Sequence, residues 1–105
     1  MLVLDKDNFE AEVLSRKGYI LVDFWGEGCE PCKNLMPEFE AMAGQYQDRV
    51  VFAKLNTSQE RRLAMSQRVL GLPTVVLYKD GQRMGECTKD TANPDGIKAL
   101  IDSHL

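Results

Sequence analysis

The stretch Tyr19–Lys33 reads YILVDFWGEGCEPCK. Its first seven residues, YILVDFW, are too continuously apolar for a strand with one wet face. They predict a central strand buried on both faces. Behind the cysteines, Leu35, Met36, Phe39, Met42 and Ala43 recur at helical spacing, which predicts a helix over Cys32–Tyr46. Pro37 lies inside that helix and should kink it, because proline removes one backbone donor and crowds the preceding turn. Cys29 and Cys32 therefore stand where a buried strand gives way to a helix.

Working outward, Asp5–Arg16 predicts a short amphipathic helix with Phe9, Val13 and Leu14 on one stripe and Gly18 as its stop. Leu2–Leu4 is a candidate edge strand. Val50–Asn56, VVFAKLN, predicts a second apolar strand, and Ser58–Val69 a helix burying Leu63, Met65 and Val69. Thr74–Tyr78 and Arg83–Thr88 flank Asp80-Gly81, a strong signal for a tight hairpin. Asn93 suits an N-cap and Pro94 a first helical residue, opening a helix through Ile97, Leu100 and Ile101. The order βαβ, helix, hairpin, helix implies an α/β domain with a mixed sheet covered on both faces.

The 105 residues imply one domain, 1–105, able to bury a core without staples. Net charge is −3 and basic residues are scattered, so neither nucleic acid nor a membrane surface is an expected partner. The start MLVLDKDNFE lacks the basic and long apolar regions of a secretion signal, and no run reaches the roughly 18 apolar residues of a membrane span. A cytoplasmic monomer is the expectation. Thiols there stay reduced, so a Cys-x-x-Cys pair points to catalysis or metal binding.

In the redox reading, Cys29 sits at a helix start, whose free N–H groups and dipole favour the nucleophilic thiolate. Cys32, one turn on, can close a small disulfide ring that Pro31 stiffens. Cys29 would attack a target disulfide and Cys32 would resolve the mixed disulfide. In the metal reading, Cys29, Cys32, Cys87 and His104 form a Cys₃His zinc set. Their spacing opposes it, since Cys87 and His104 are not a knuckle pair. A third reading is a non-catalytic binding subunit with idle cysteines.

Asp23 interrupts the apolar strand. It is either a strand-end carboxylate reaching water or a buried proton acceptor near Cys32, with a raised pKa. Lys54 is either a snorkelling surface residue or a partner that tunes Asp23. Pro73 is a plain strand-entry proline or the second half of a cis bond. Trp25 is a core aromatic, a wall of the cysteine loop, or both. Cys87 is a small buried apolar residue or a regulatory thiol.

Four separated stretches in order, LVDFWGEGCEPCK, MPEFE, AKLN and GLPTVVLYKDG, resemble the thioredoxin family, and the resemblance covers essentially the whole chain. It implies the thioredoxin fold and a protein-disulfide reductase needing no cofactor or metal of its own. Cys29 would be the nucleophile, Cys32 the resolving thiol, Asp23 the proton-transfer carboxylate and Lys54 its modulator. Pro73 would be cis and face the cysteines. Trp25, Gly28, Glu30, Pro31, Leu72 and Pro73 would contact an extended substrate segment. Electrons would come from a thioredoxin-reductase-like donor and pass to disulfide-containing proteins. The loop Gly28-Cys29-Glu30-Pro31-Cys32 departs from the family's common Trp-Cys-Gly-Pro-Cys. The family's glycine after the last strand has no clear match in TKDTANPDG. Both departures bear on partner choice and leave the two-thiol chemistry untouched.

Overall fold

Apolar strands buried on both faces build the molecule. A computed structural model describes residues 1–105. The strands are β1 (Leu2–Leu4), β2 (Tyr19–Trp25), β3 (Val50–Asn56), β4 (Thr74–Lys79) and β5 (Gln82–Thr88). They form one sheet in the order β1-β3-β2-β4-β5. Strands β1, β3 and β2 run parallel, and β4 and β5 are antiparallel additions. β2 is thus central, and residues 20–24 are all buried.

Successive side chains leave a strand on opposite faces. From β2, Ile20, Val22 and Phe24 enter a core with Phe9, Val13 and Ala64. Leu21 enters a second core with Phe52 of β3 and with Phe39, Ile97 and Ile101. That second face is covered by α1 (Glu30–Tyr46) and α3 (Pro94–Asp102). By the same alternation Asp23 and Lys54, each two residues past a member of the second core, lie on the α1 side. They are direct cross-strand neighbours.

The turns follow their residues. Asp80 and Gly81 both take positive φ, 52° and 81°, as a tight hairpin between right-twisted strands requires. A Cβ on Gly81 would run into the Leu14 carbonyl oxygen. Asn93 caps α3, its Oδ1 accepting from Gly96 N–H at 2.8 Å.

Two helix expectations are corrected. The first segment is a five-residue π-helix, Glu10–Leu14, and not a helix over Asp5–Arg16. Asp5 and Asn8 side chains accept from nearby backbone N–H groups and hold residues 5–8 in a turn. Phe9 and Val13 are buried, but Leu14 is exposed. The second, α2, spans Arg61–Ser66 rather than Ser58–Val69. Asn56 accepts from Ser58 N–H before it, and Arg68 at φ 59° ends it. Ala64 and Val69 are buried, Leu63 is half-buried and Met65 is 70% exposed. α1 begins at Glu30, two residues before the predicted start, with Pro37 inside it.

Candidate active site

The cysteine loop is held from below by its neighbours. Thr57 donates twice to the Trp25 carbonyl, from N–H at 2.7 Å and from Oγ1 at 2.8 Å. Glu27 N–H donates to Ser58 Oγ, and Asn56 Nδ2 donates to the Glu27 carboxylate. Gly26 is buried where a Cβ would lie 2.8 Å from Leu72 Cδ1, so a larger residue would have to displace that side chain. Gly28 has open space around it and is exposed.

Cys29 is the N-cap of α1, in extended backbone with φ −101° and ψ 104°. It is disulfide-bonded to Cys32, with Cα atoms 5.3 Å apart. Its Sγ accepts from Cys32 N–H at 3.2 Å. A helix start supplies such a donor because its first N–H groups have no partner inside the helix. The two cysteines are unequal in burial: Cys29 is half-buried, while Cys32 is fully buried. Glu30 and Pro31 occupy the first turn of α1 and are exposed.

Asp23 is fully buried, and neither carboxylate oxygen meets a hydrogen-bond donor of the protein. Burial pushes its pKa up to about 7, and the positive charge of Lys54 opposes that rise. Of the two sequence readings of Asp23, the water-reaching carboxylate is excluded. Lys54 is half-buried, and its Nζ pairs with Glu40 Oε2 at 3.7 Å. It makes no ion pair with Asp23, so it is a neighbouring charge and not a contact partner. Trp25, Cys32, Lys33, Met36, Pro37, Glu40 and Lys54 line one cleft of about 290 Å³. Trp25 is thus both strand residue and cleft wall.

The Leu72–Pro73 bond is cis. Pro73 is buried, and its carbonyl accepts from Lys89 N–H at 2.8 Å, tying it to the end of β5. After β5, Lys89–Thr91 forms a short 3₁₀ turn capped by Thr88, in which Lys89 takes φ 52°. Cys87 is buried on β5, where burial, with a smaller push from Glu86, raises its thiol pKa. The structure gathers no group of three or more His, Cys, Asp or Glu side chains able to hold a metal ion, so Cys87 and His104 do not join the cysteine pair. No helix is long and apolar enough to cross a membrane.

Glu40 escaped the sequence reading. Its signal was present, since Cys32, Met36 and Glu40 recur at four-residue steps and share a stripe of α1.

The family model described as Thioredoxin matches residues 1–103. A thioredoxin of Peptoclostridium acidaminophilum is 52% identical over 105 residues, covering 100% of this chain and 96% of the relative. One of Acetoanaerobium sticklandii is 51% identical and covers both chains fully, at 100%. Among solved structures, a Malassezia sympodialis thioredoxin (Mala s 13) superposes with a TM-score of 0.88 at 28% identity, over 99% of this chain and 90% of the other.

Proposed function

The chain belongs to the thioredoxin family and is a thiol–disulfide oxidoreductase; from that membership we propose which of its residues do what. Cys29 attacks a target disulfide as thiolate, forming a mixed disulfide and releasing one target thiolate. Asp23 takes the proton of Cys32. The Cys32 sulfur then attacks Cys29, releases the second target thiolate and forms the Cys29–Cys32 disulfide. Two electrons pass from the protein to the target, and a reductase returns them.

The observation that carries this reading is the unequal pair: a disulfide at the start of α1 between a half-buried Cys29 and a fully buried Cys32. Only an accessible sulfur can be attacked or attack in trans. A sealed one reacts within the chain. Leu72 and Pro73, with Trp25, Gly28, Glu30 and Pro31, receive an extended target segment. Lys54 modulates Asp23 through charge.

Family members are reduced by a thioredoxin reductase and act on disulfide substrates. For this chain the donor is a reductase of that kind, and the compartment is the cytoplasm. Glu27 and Glu30 are exposed around the pair and favour target disulfides flanked by Lys or Arg.

Cys29→Ser should abolish reduction of insulin disulfides, and Cys87→Ser should leave most of it. Equal loss from both would overturn the assignment. Cys32→Ser should accumulate mixed disulfides on Cys29, recoverable with dithiothreitol.

A further inference from the structure

Lys54 has two carboxylates to choose between. Asp23 is its cross-strand neighbour on the same sheet face. Glu40 projects from α1, the helix that covers that face. The ammonium pairs with Glu40 at 3.7 Å and leaves both Asp23 oxygens unpartnered. The choice has a physical cause. Glu40 is about half exposed and Lys54 keeps 29% of its side chain in water. At Glu40 the ammonium stays hydrated, whereas following Asp23 into the core would strip its water.

We propose that Glu40 is a positioning residue: it holds the Lys54 ammonium at the mouth of the cleft, away from Asp23, and so preserves the affinity of Asp23 for the Cys32 proton. The proposal rests on the reading of Asp23 as proton acceptor. A carboxylate paired directly with an ammonium is a weak base. A carboxylate that feels the same charge only across the strands keeps more of its basicity. Glu40 and Lys54 line the same cleft as Cys32, the residue whose proton Asp23 takes in that reading.

The surroundings leave few other charges to produce this effect. From α1 the cleft receives Cys32, Lys33 and Glu40, and from β3 Lys54. Cys29 lies at the start of α1. On the other side Asp23 is paired with Val75 of β4, behind which comes Cys87 of β5. In β1 the residue beside Lys54 is Val3. The Glu40–Lys54 pair keeps both side chains partly in water, so one substitution can release it.

The test is a double-mutant cycle read at the Asp23 carboxyl. Oxidised wild type, Glu40→Gln, Lys54→Met and the double variant are titrated by carboxyl ¹³C nuclear magnetic resonance. Freed from Glu40, Lys54 should move toward Asp23 and lower its titration midpoint by about 0.5 pH unit or more, the scale of a close charge pair near a surface. In the Lys54→Met background the same substitution should move the midpoint by less than half as much. An equal shift in both backgrounds would mean that Glu40 acts by direct repulsion, and no shift would mean that it does not hold Lys54. Either result overturns the proposal. Single-turnover release of a mixed disulfide, followed against pH in Asp23→Asn, tests the underlying reading separately. An unchanged profile there removes Asp23 as proton acceptor, whatever the carboxyl midpoints show.

Discussion

Glu30 lies one residue past Cys29, exposed, in the first turn of the helix that Cys29 caps. A carboxylate there opposes the thiolate as a like charge, while the helix start favours both groups. Water screens the repulsion to about 1 kcal/mol or less. Glu30→Gln should therefore let the Cys29 thiolate form at lower pH, as read by its ultraviolet absorbance. It should also make the couple more oxidising, by up to about fivefold in the exchange constant against glutathione. Added salt should narrow the difference between variant and wild type. At Asp23 the effect is on a rate. A base works only when ionised, and burial puts the pKa of Asp23 at about 7. The resolving step should accelerate as pH rises through 7 and level off about one unit above it. Asp23→Asn should remove that limb and slow resolution about tenfold or more, with the initial attack much less affected, as stopped-flow mixing would show.

At the scale of elements, the site depends on how strands and turns end. β2 is held on both edges over its length, by β3 and by β4. A strand so fixed delivers Trp25 and the cysteine loop to one place above the sheet. The hairpin joining β4 to β5, together with a bulge beside Leu77 and Tyr78 that moves the pairing by one residue, sets Val75 between Asp23 and Cys87. Gly81 bears that turn at φ 81°, with the Leu14 carbonyl where a Cβ would go. Gly81→Ala should cost about 2 kcal/mol or more, combining a left-handed backbone penalty with a backbone collision. Urea unfolding followed by circular dichroism would read the loss, which should be the same with the active-site pair oxidised or reduced. A loss below about 0.5 kcal/mol would mean that the turn relaxes away from Leu14.

For the whole molecule, burial of Asp23 ties stability to pH. Below about pH 3.8 its carboxyl is protonated whether the chain is folded or not, and above about 7 it is ionised in both. Between these values the unfolded chain has released the proton and the folded chain keeps it. Raising the pH through this window therefore favours unfolding, by on the order of 4 kcal/mol from this one group. Asp23→Asn should abolish that contribution. The stability of the variant relative to wild type should grow from pH 4 to pH 7 and stay constant above. Denaturant titrations of both proteins at several pH values measure the difference, in which other titrating groups cancel. A gap independent of pH would show that Asp23 is not ionised at the cost its burial implies.

Local features of the chain by themselves determined the strand YILVDFW, the cysteine pair at a helix start, the Asp80-Gly81 hairpin and the Asn93 cap. In each, the cause acts within a few residues: apolar continuity, a side chain reaching the next N–H groups, or a backbone that tolerates positive φ. The order of the elements implied the mixed sheet, and the resemblance of four motifs added the thioredoxin fold and the cis Leu72–Pro73 bond. Tertiary structure alone decided that Lys54 pairs with Glu40 and not with Asp23. It also decided that Leu14 and Met65, apolar residues on otherwise helical stripes, face water. The reach of a lysine and the hydration it keeps depend on where α1 lies over β2 and β3. The fate of a stripe depends on where its helix starts and stops, and for these two short helices the polar turn residues before them and Arg68 after α2 set those limits. No periodicity within one segment carries that information, because the competing partners come from segments far apart in sequence.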